Sequence, residues 1–160
     1  MAGASASPAG GWIVTNVGTF RGDNPFGLAL NDRGEVIWND ASGMAFVWRN
    51  GKRIKLGTNE AVAHAINDRG QIVGSSDRVP GGGFIWENGR YTALLGSLQR
   101  NSSGNALNEH GQVAGVIEPT GRSGSKWFQH AFLWQKGRMR DLGAVRGRPT
   151  VANVINEQGR

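Results

Sequence analysis

The chain has 160 residues, a net charge of +6 and no cysteine. The lack of thiols excludes a disulfide framework, thiolate catalysis and a thiolate metal site, and no stretch approaches the roughly 18 apolar residues that indicate a membrane-spanning helix. The 26 glycines, six tryptophans and six phenylalanines predict many short strands and tight turns rather than disorder.

The N-terminal segment precedes the regular pattern. Residues 1–11 are small and lack the basic start and apolar core of a signal peptide, so we interpret them as a flexible leader. Residues 12–160 then form a single repeat domain. Its first segment, residues 12–18, is expected to be the closing strand of a partial repeat whose front half is absent.

A four-residue phrase that begins with Asn and ends with Gly recurs along the chain, each time after Leu or Ile. Asn at the first position and Gly at the fourth predict a type I turn followed by a left-handed residue, with the Asn side chain accepting a backbone N–H two residues on. The two middle residues differ between copies and are expected to point into solvent, which favours an architectural role over metal binding or catalysis. The four copies of this Asn–Gly turn are Asn31–Gly34, Asn67–Gly70, Asn108–Gly111 and Asn156–Gly159.

A second phrase, an apolar run ending in Trp, follows each of the first three turns. A Gly three residues later and a short segment ending in Leu-Gly complete a unit of four segments. The second segments are apolar without clean alternation, which is typical of strands covered on both faces. The recurring residues Trp48, Trp86 and Trp134 are expected to pack between units.

The first segment of each unit is also predicted to be a strand. Residues 58–67 alone could form a helix, but the corresponding segments contain Pro25, Gly27 or Gly104. Because Pro and Gly disfavour helix interiors, the set of segments indicates strands.

Units of four strands, repeating every 36 to 48 residues, match the blade of a β-propeller. The sequence therefore predicts an all-β, β-propeller-like array of four-stranded repeats, three complete and two partial. Because a propeller needs about four blades to close, we expect a homo-oligomer or a fragment of a larger repeat protein. The predicted units are repeat 1 (19–57), repeat 2 (58–96), repeat 3 (97–143) and the start of repeat 4 (144–160).

The loops between second and third strands lengthen along the chain, since the distance from Asn to Trp grows from 17 to 19 to 26 residues. Such insertions collect on one rim of an array, which is often the binding face. The longest loop combines cations with aromatic rings, which suits an anionic or sugar ligand; alternatively, its rings fold back onto their own blade. The candidate binding residues are Arg122, Lys126, Trp127 and Phe128, with Arg78 in the corresponding loop of repeat 2.

The densest basic segment spans residues 136–148 and contains Arg138 and Arg140. Such a segment can bind nucleic acid or an anionic polysaccharide. It can also be an ordinary solvated surface, because basic residues occur in the other turns as well. Arg138 and Arg140 are therefore candidates for contact with an anionic polymer.

The segment HAFLWQKGRMRDLG (residues 130–143), together with AINDRGQIVG and ALNEHGQVAG, resembles the HAF repeat family, a set of bacterial repeats described as probable extracellular proteins. The resemblance spans roughly residues 13–160. It implies a propeller-like all-β fold and a secreted or cell-surface location, and it implies no activity. Only His130 matches the family's His, since Met44 and Gly83 occupy that position in the other repeats.

No catalytic constellation is recognisable in the sequence. The three histidines fall at different positions of the repeat without metal-ligand spacing, and no Ser lies in a Gly-x-Ser-x-Gly elbow. We therefore predict no catalytic residue, no metal and no cofactor. The leading hypothesis is a non-catalytic binding or scaffold module that recognises a glycan, another polymer or a protein through its rim loops. The alternatives are a basic-surface binder of nucleic acid or anionic polysaccharide and a propeller-type glycoside hydrolase.

Overall fold

The computed structural model describes residues 26–57, 60–94, 101–118 and 129–160. Within these ranges the chain forms twelve β-strands in three antiparallel sheets of four strands. Sheet 1 contains β1 (Phe26–Leu30), β2 (Val36–Asn39), β3 (Ala45–Arg49) and β4 (Lys52–Lys55). Sheet 2 contains β5 (Ala61–Ile66), β6 (Ile72–Ser76), β7 (Gly83–Glu87) and β8 (Arg90–Ala93). Sheet 3 contains β9 (Ser102–Leu107), β10 (Val113–Ile117), β11 (His130–Gln135) and β12 (Arg138–Gly143).

Each sheet is a meander, because its strands pair in chain order. This arrangement confirms the predicted all-β class and the four-stranded unit. The described residues contain no helix long and apolar enough to cross a membrane. The predicted leader and the predicted closing strand at 12–18 lie outside the described residues.

A tight hairpin joins the third and fourth strands of every sheet. Both residues of its two-residue loop have positive φ, which is the type I′ geometry whose twist matches that of the flanking strands. Glycine meets this requirement at the second position without a Cβ clash. The loops are Asn50-Gly51 (φ 50° and 74°), Asn88-Gly89 (48° and 82°) and Lys136-Gly137 (48° and 80°).

The first strand of each unit is extended, as its Gly and Pro content predicts. Ala61–Ile66 is strand β5 although its composition would suit a helix. Its pairing with β6 shifts between Ala63 and Ala65, so His64 is the extra residue of a β-bulge, and Asn105 takes the same place in β9. Bulges of this kind bend a strand and increase its twist.

Neighbouring sheets pack face to face. Strand β5 contacts β1, β2 and β3 of sheet 1, and β9 contacts β5, β6 and β7 of sheet 2. The first strand of each later sheet thus lies against the sheet before it. Two apolar clusters fill the two junctions.

Cluster 1 lies between sheets 1 and 2 and cluster 2 lies between sheets 2 and 3. Strand β6 supplies both, since Ile72 belongs to cluster 1 and Val73 to cluster 2, and neither is exposed. This confirms a second strand covered on both faces. The main side chains of cluster 1 are Ile37, Val47, Leu56, Ile72, Phe84 and Trp86. Those of cluster 2 are Val73, Ile85, Leu94, Val113, Phe132 and Trp134.

The predicted packing role of the recurring Trp residues holds at both junctions. Trp86 is 4% exposed in cluster 1, and Trp134 is 6% exposed in cluster 2. Trp48, at the same repeat position in sheet 1, is half-buried. The difference follows from its place, because no described sheet precedes sheet 1.

Candidate functional site

The Asn–Gly turns all adopt one geometry. In each, the Gly N–H donates to the Asn carbonyl at 2.9–3.1 Å, and the Gly φ lies between 71° and 76°. The predicted turn with a left-handed Gly is confirmed. The predicted role of the Asn side chain is wrong in register: its Oδ1 accepts the N–H four residues on, at 2.9–3.0 Å in all four copies. Only Asn108 also accepts the N–H two residues on.

The turns are linked to one another by these Asn side chains. Asn31 Nδ2 donates to the carbonyl of Asn67 at 2.8 Å, and Asn67 Nδ2 donates to the carbonyl of Asn108 at 3.1 Å. Asn108 Nδ2 continues the series to the carbonyl of Asn156 at 3.0 Å. We call this series the turn ladder. It runs in one direction, from each turn to the next.

The second residue of each turn forms a parallel series, contrary to the expectation that it only faces solvent. The Asp32 N–H donates to Asp68 Oδ1 at 2.7 Å, and the Asp68 N–H donates to Glu109 Oε1 at 2.8 Å. The Glu109 N–H donates to the Glu157 carboxylate at 3.2 Å. The acid at this position in the second, third and fourth turns therefore accepts a backbone N–H from the turn before it. The signal was present in the sequence, since all four copies have Asp or Glu there.

The residue after each turn pairs with the residue after the Trp of the same repeat. Arg49 forms an ion pair with Glu35 at 2.5 Å. In the next repeats, Gln71 Nε2 donates to Glu87 at 3.3 Å, and Gln112 Nε2 donates to Gln135 at 3.3 Å. These pairs join the turn to the hairpin within each sheet and differ in chemistry from repeat to repeat.

The loops between the second and third strands lie at the end of the sheets opposite the Asn–Gly turns. We call this end the loop rim. In the part of the chain that the structure describes, cavities of 230, 300 and 490 Å³ border the loop at residues 77–82. This is the predicted rim loop of repeat 2. The 230 Å³ cavity lies where sheet 2 meets sheet 3, and we call it the rim cleft.

Polar side chains line the rim cleft from both sheets. Sheet 2 and its loop supply Ser75 and Asp77, and sheet 3 supplies Ser103, Asn101 and Glu118. Asn101 Nδ2 donates to Glu118 at 3.2 Å, which orients that carboxylate. Hydroxyls, amides and carboxylates together offer both donors and acceptors to a hydroxyl-rich ligand. These residues were not predicted from the sequence, because they lie at the bases of the loops and not at the loop tips, where the sequence predicts binding residues.

Hydrogen bonds from Ser102 of sheet 3 connect the two sides of the rim cleft. Ser102 Oγ donates to the carbonyl of Gly81 at 2.6 Å and accepts the N–H of Gly83 at 3.0 Å. Thr150 repeats the accepting half of this contact in the next repeat, where its hydroxyl accepts the N–H of Ala131 at 2.9 Å and donates to the carbonyl of Gly143. Hydroxyl groups therefore form the hydrogen bonds between consecutive repeats at the loop rim. Asn side-chain amides form the corresponding bonds at the Asn–Gly turns.

The predicted binding residues are distributed as follows. Arg78 is exposed, lines the two larger cavities and lies 3.9 Å from Glu60. Arg138 and Arg140 are exposed on strand β12, at the outer edge of sheet 3 and not in the rim cleft. Arg122, Lys126, Trp127 and Phe128 lie outside the described residues.

The shorter rim loop of sheet 1 is held by Asp40. Its Oδ1 accepts the Ser42 hydroxyl at 2.6 Å and the N–H groups of Ser42 and Met44 at 2.9 and 3.1 Å. Burial acts to raise the pKa of Asp40, but these hydrogen bonds and the charge of Lys55 outweigh it and hold the pKa below its ordinary value. The ionised carboxylate thus stabilises the loop.

The histidines take structural positions. His130 pairs with Asp141 of the adjacent strand at 2.9 Å. His64 Nδ1 lies 2.9 Å from the carbonyl of Gly104 in the next sheet. The described residues contain no group of three or more His, Asp or Glu that could hold a metal ion.

Comparison with known proteins gives no relative. No protein-family model, no curated protein and no solved structure matches the chain.

Proposed function

We propose that the protein is a non-catalytic binding module whose rim cleft recognises a hydroxyl-rich polymer, such as a glycan. The observation that carries the proposal is the rim cleft itself, where two sheets contribute hydroxyl, amide and carboxylate groups beside the loop at residues 77–82. Sugar hydroxyls need donors and acceptors in close succession, and a cleft open at the rim admits a chain.

The proposed fold is a β-propeller-like array. Its support is the stacking of each first strand on the preceding sheet, together with the turn ladder that joins consecutive repeats. The resemblance to the HAF repeats, with its bacterial origin and its secreted or cell-surface location, belongs to the same proposal. A polymer outside the cell would then be the ligand.

The test is binding to an array of neutral and acidic glycans. Glu118→Gln and Asp77→Asn should each weaken binding at least tenfold, because each removes a charged acceptor from the cleft. Glu87→Gln is the matched control, since Glu87 is exposed at the turn end of β7. Trp127→Ala tests the longest rim loop separately.

The outcomes separate three cases. Loss of binding in the cleft variants, with Glu87→Gln unaffected, supports the proposal. Unchanged binding in the cleft variants, or an absence of binding to any glycan, contradicts it. Turnover of a bound glycan that Glu118→Gln or Asp77→Asn abolishes would replace it with a glycoside hydrolase.

A second candidate is an anionic polymer bound along the outer edges of the sheets. It is favoured by the fourth strands, which carry exposed cations in all three sheets: Lys52, Arg53, Lys55, Arg90, Arg138 and Arg140. Cations on an edge strand also hinder edge-to-edge aggregation. Binding to nucleic acid or heparin-like chains should therefore fall steeply with salt and weaken in Arg138→Ala/Arg140→Ala. Salt-independent binding, or an equal loss in the turn variant Arg33→Ala, would contradict this candidate.

A further inference from the structure

The turn ladder has two different ends. Two hydrogen bonds join consecutive turns. The Asn Nδ2 of one turn donates to the Asn carbonyl of the next, and the N–H of the second turn residue donates to the carboxylate at the second position of the next turn. Each internal turn therefore accepts from the turn before it and donates to the turn after it. Among the residues that the structure describes, the first and last turns each have one such neighbour.

The unused groups at the two ends are complementary. In the described part of the chain, the Asn156 Nδ2 and the Glu157 N–H have no acceptor, and the Asp32 carboxylate has no donor. Within the same described ranges, the Asn31 carbonyl accepts only the N–H of its own Gly34. The chain thus presents two donors at one end and the two matching acceptors at the other.

Exposed apolar side chains accompany these groups. Ile66 and Leu107, which precede the second and third turns, pack against clusters 1 and 2. Leu30 has the same position before the first turn, yet it is 71% exposed. Its side chain belongs to the face that packs on a preceding sheet.

At the last turn, the exposed apolar side chain lies on the face that packs against a following sheet. Ala29 and Ala65, two residues before the first and second turns, pack into the junction with the following sheet. Val154 has that position before the last turn and is 82% exposed. Internal junctions bring these two positions into one cluster, as Ala65 and Leu107 in cluster 2.

We propose that the end of the chain at Val154 and Asn156 binds the end at Leu30 and Asp32 of a second copy, so that the turn ladder continues from chain to chain. The occupant is a second copy because both the hydrogen-bond pattern and the apolar pair of an internal junction would be reproduced. This contact is head-to-tail, and such contacts build rings or filaments rather than two-fold dimers. It does not depend on the ligand of the loop rim.

The experiment measures the mass of the full chain in solution as a function of concentration, by analytical ultracentrifugation. Leu30→Asp and Val154→Asp each place a charge in the contact at an exposed position and should weaken association at least tenfold. Asp32→Ala and Asn156→Ala remove one acceptor and one donor and should also weaken it. Ile54→Asp, at a 36% exposed apolar residue on β4, is the matched control and should associate like the unaltered chain.

A mixing experiment identifies the head-to-tail arrangement. Leu30→Asp keeps the donor end and Val154→Asp keeps the acceptor end, so the two variants together should form a dimer that does not grow further. Each variant alone, and the double variant, should stay monomeric. A monomeric unaltered chain, equal effects of Ile54→Asp and Val154→Asp, or a mixture without dimers would overturn the proposal.

Discussion

At the scale of single residues, Asn67 shows how much one side chain of the turn contributes. Its Oδ1 accepts the N–H of Gln71, and its Nδ2 donates to both Gln71 Oε1 and the Asn108 carbonyl. The residue is only 4% exposed. One amide thus closes its own turn and connects it to the next repeat.

We expect Asn67→Ala to destabilise the protein by about 1–3 kcal/mol, because it leaves buried polar groups without partners. The midpoint of urea unfolding measures the loss. Arg33→Ala, at an exposed position of the first turn, should stay within about 0.5 kcal/mol. Equal midpoints for the two variants would show that the ladder adds no stability.

A second residue-scale prediction concerns acid. The pKa of Asp40 is lower in the folded chain than its ordinary value of 3.8. The ionised carboxylate therefore stabilises the fold at pH values above 3.8, and this contribution is lost as the pH falls through the folded-state pKa. Asp40→Asn should therefore be less stable than the unaltered chain at pH 7, and the gap should narrow below about pH 4. Unfolding curves between pH 7 and pH 2 measure it.

Ser42→Ala is the matched variant, since it keeps the carboxylate and removes its hydroxyl donor. Its loss of stability should also be greatest near neutral pH. A gap between Asp40→Asn and the unaltered chain that stays constant with pH would contradict the assignment.

The backbone geometry of each turn can be predicted from the sequence, whereas the hydrogen bonds between neighbouring turns cannot. Glycine at the fourth position can be predicted because a left-handed backbone requires it locally. The recurring acid at the second position is a sequence signal, but the partner of Asp68 cannot be predicted locally, because its donor is the N–H of Asp32, 36 residues earlier. Only the side-by-side placement of two turns brings these groups together.

At the scale of strands, the glycines of the second strands mark a close approach of two backbones. A Cβ at Gly74 would lie 1.9 Å from the carbonyl oxygen of Val62, and one at Gly115 would lie 2.0 Å from that of Ser103. Both glycines stand opposite the bulge of the first strand. Trp38 of sheet 1 has the same repeat position as these glycines. Its strand pairing differs, because the paired residues on either side of it are Phe26↔Asn39 and Ala29↔Ile37.

Gly74→Ala should therefore cost about 1–3 kcal/mol or more, because the backbone that it meets cannot move aside as a side chain can. Gly137→Asn is the control, since Gly137 has nothing within 4 Å of an added Cβ and Asn tolerates positive φ. Thermal unfolding should separate the two variants clearly. A Gly74→Ala protein as stable as Gly137→Asn would refute the close approach.

The strands themselves are predictable where sequence periodicity and breakers agree. Comparison of repeats identifies β5 as a strand, although its segment alone would pass for a helix. The bulge at His64 is not predictable in the same way, because a bulge is a property of two paired strands. The rim cleft shares this limit, since Ser75 and Ser103 come from different sheets.

At the scale of the whole molecule, sheet 2 is held on both faces. Ile72 and Val73 are adjacent in β6 and point into clusters 1 and 2, so the central sheet contributes to both junctions. Repeat proteins derive much of their stability from such nearest-neighbour interfaces. The three sheets are therefore expected to unfold together.

Ile72→Ala should lower stability by about 2–5 kcal/mol through loss of apolar contact and a residual cavity. The unfolding curve should move as a single transition with an unchanged slope, and Val73→Ala should move the same transition. Hydrogen exchange should show reduced protection in all three sheets. Two separate transitions in either variant would mean that the junctions are independent.

The pairs that join each turn to its own hairpin limit how this chain can be rearranged. Glu35 faces Arg49, whereas Gln71 faces Glu87 in the next repeat. A crossover between turn and hairpin would place Glu35 opposite Glu87, which sets two like charges against each other. A duplication or exchange that carries a whole turn together with its hairpin avoids this conflict. We therefore expect chimeras that exchange whole stretches, from Asn to the residue after Trp, to be more stable than chimeras with a breakpoint inside such a stretch.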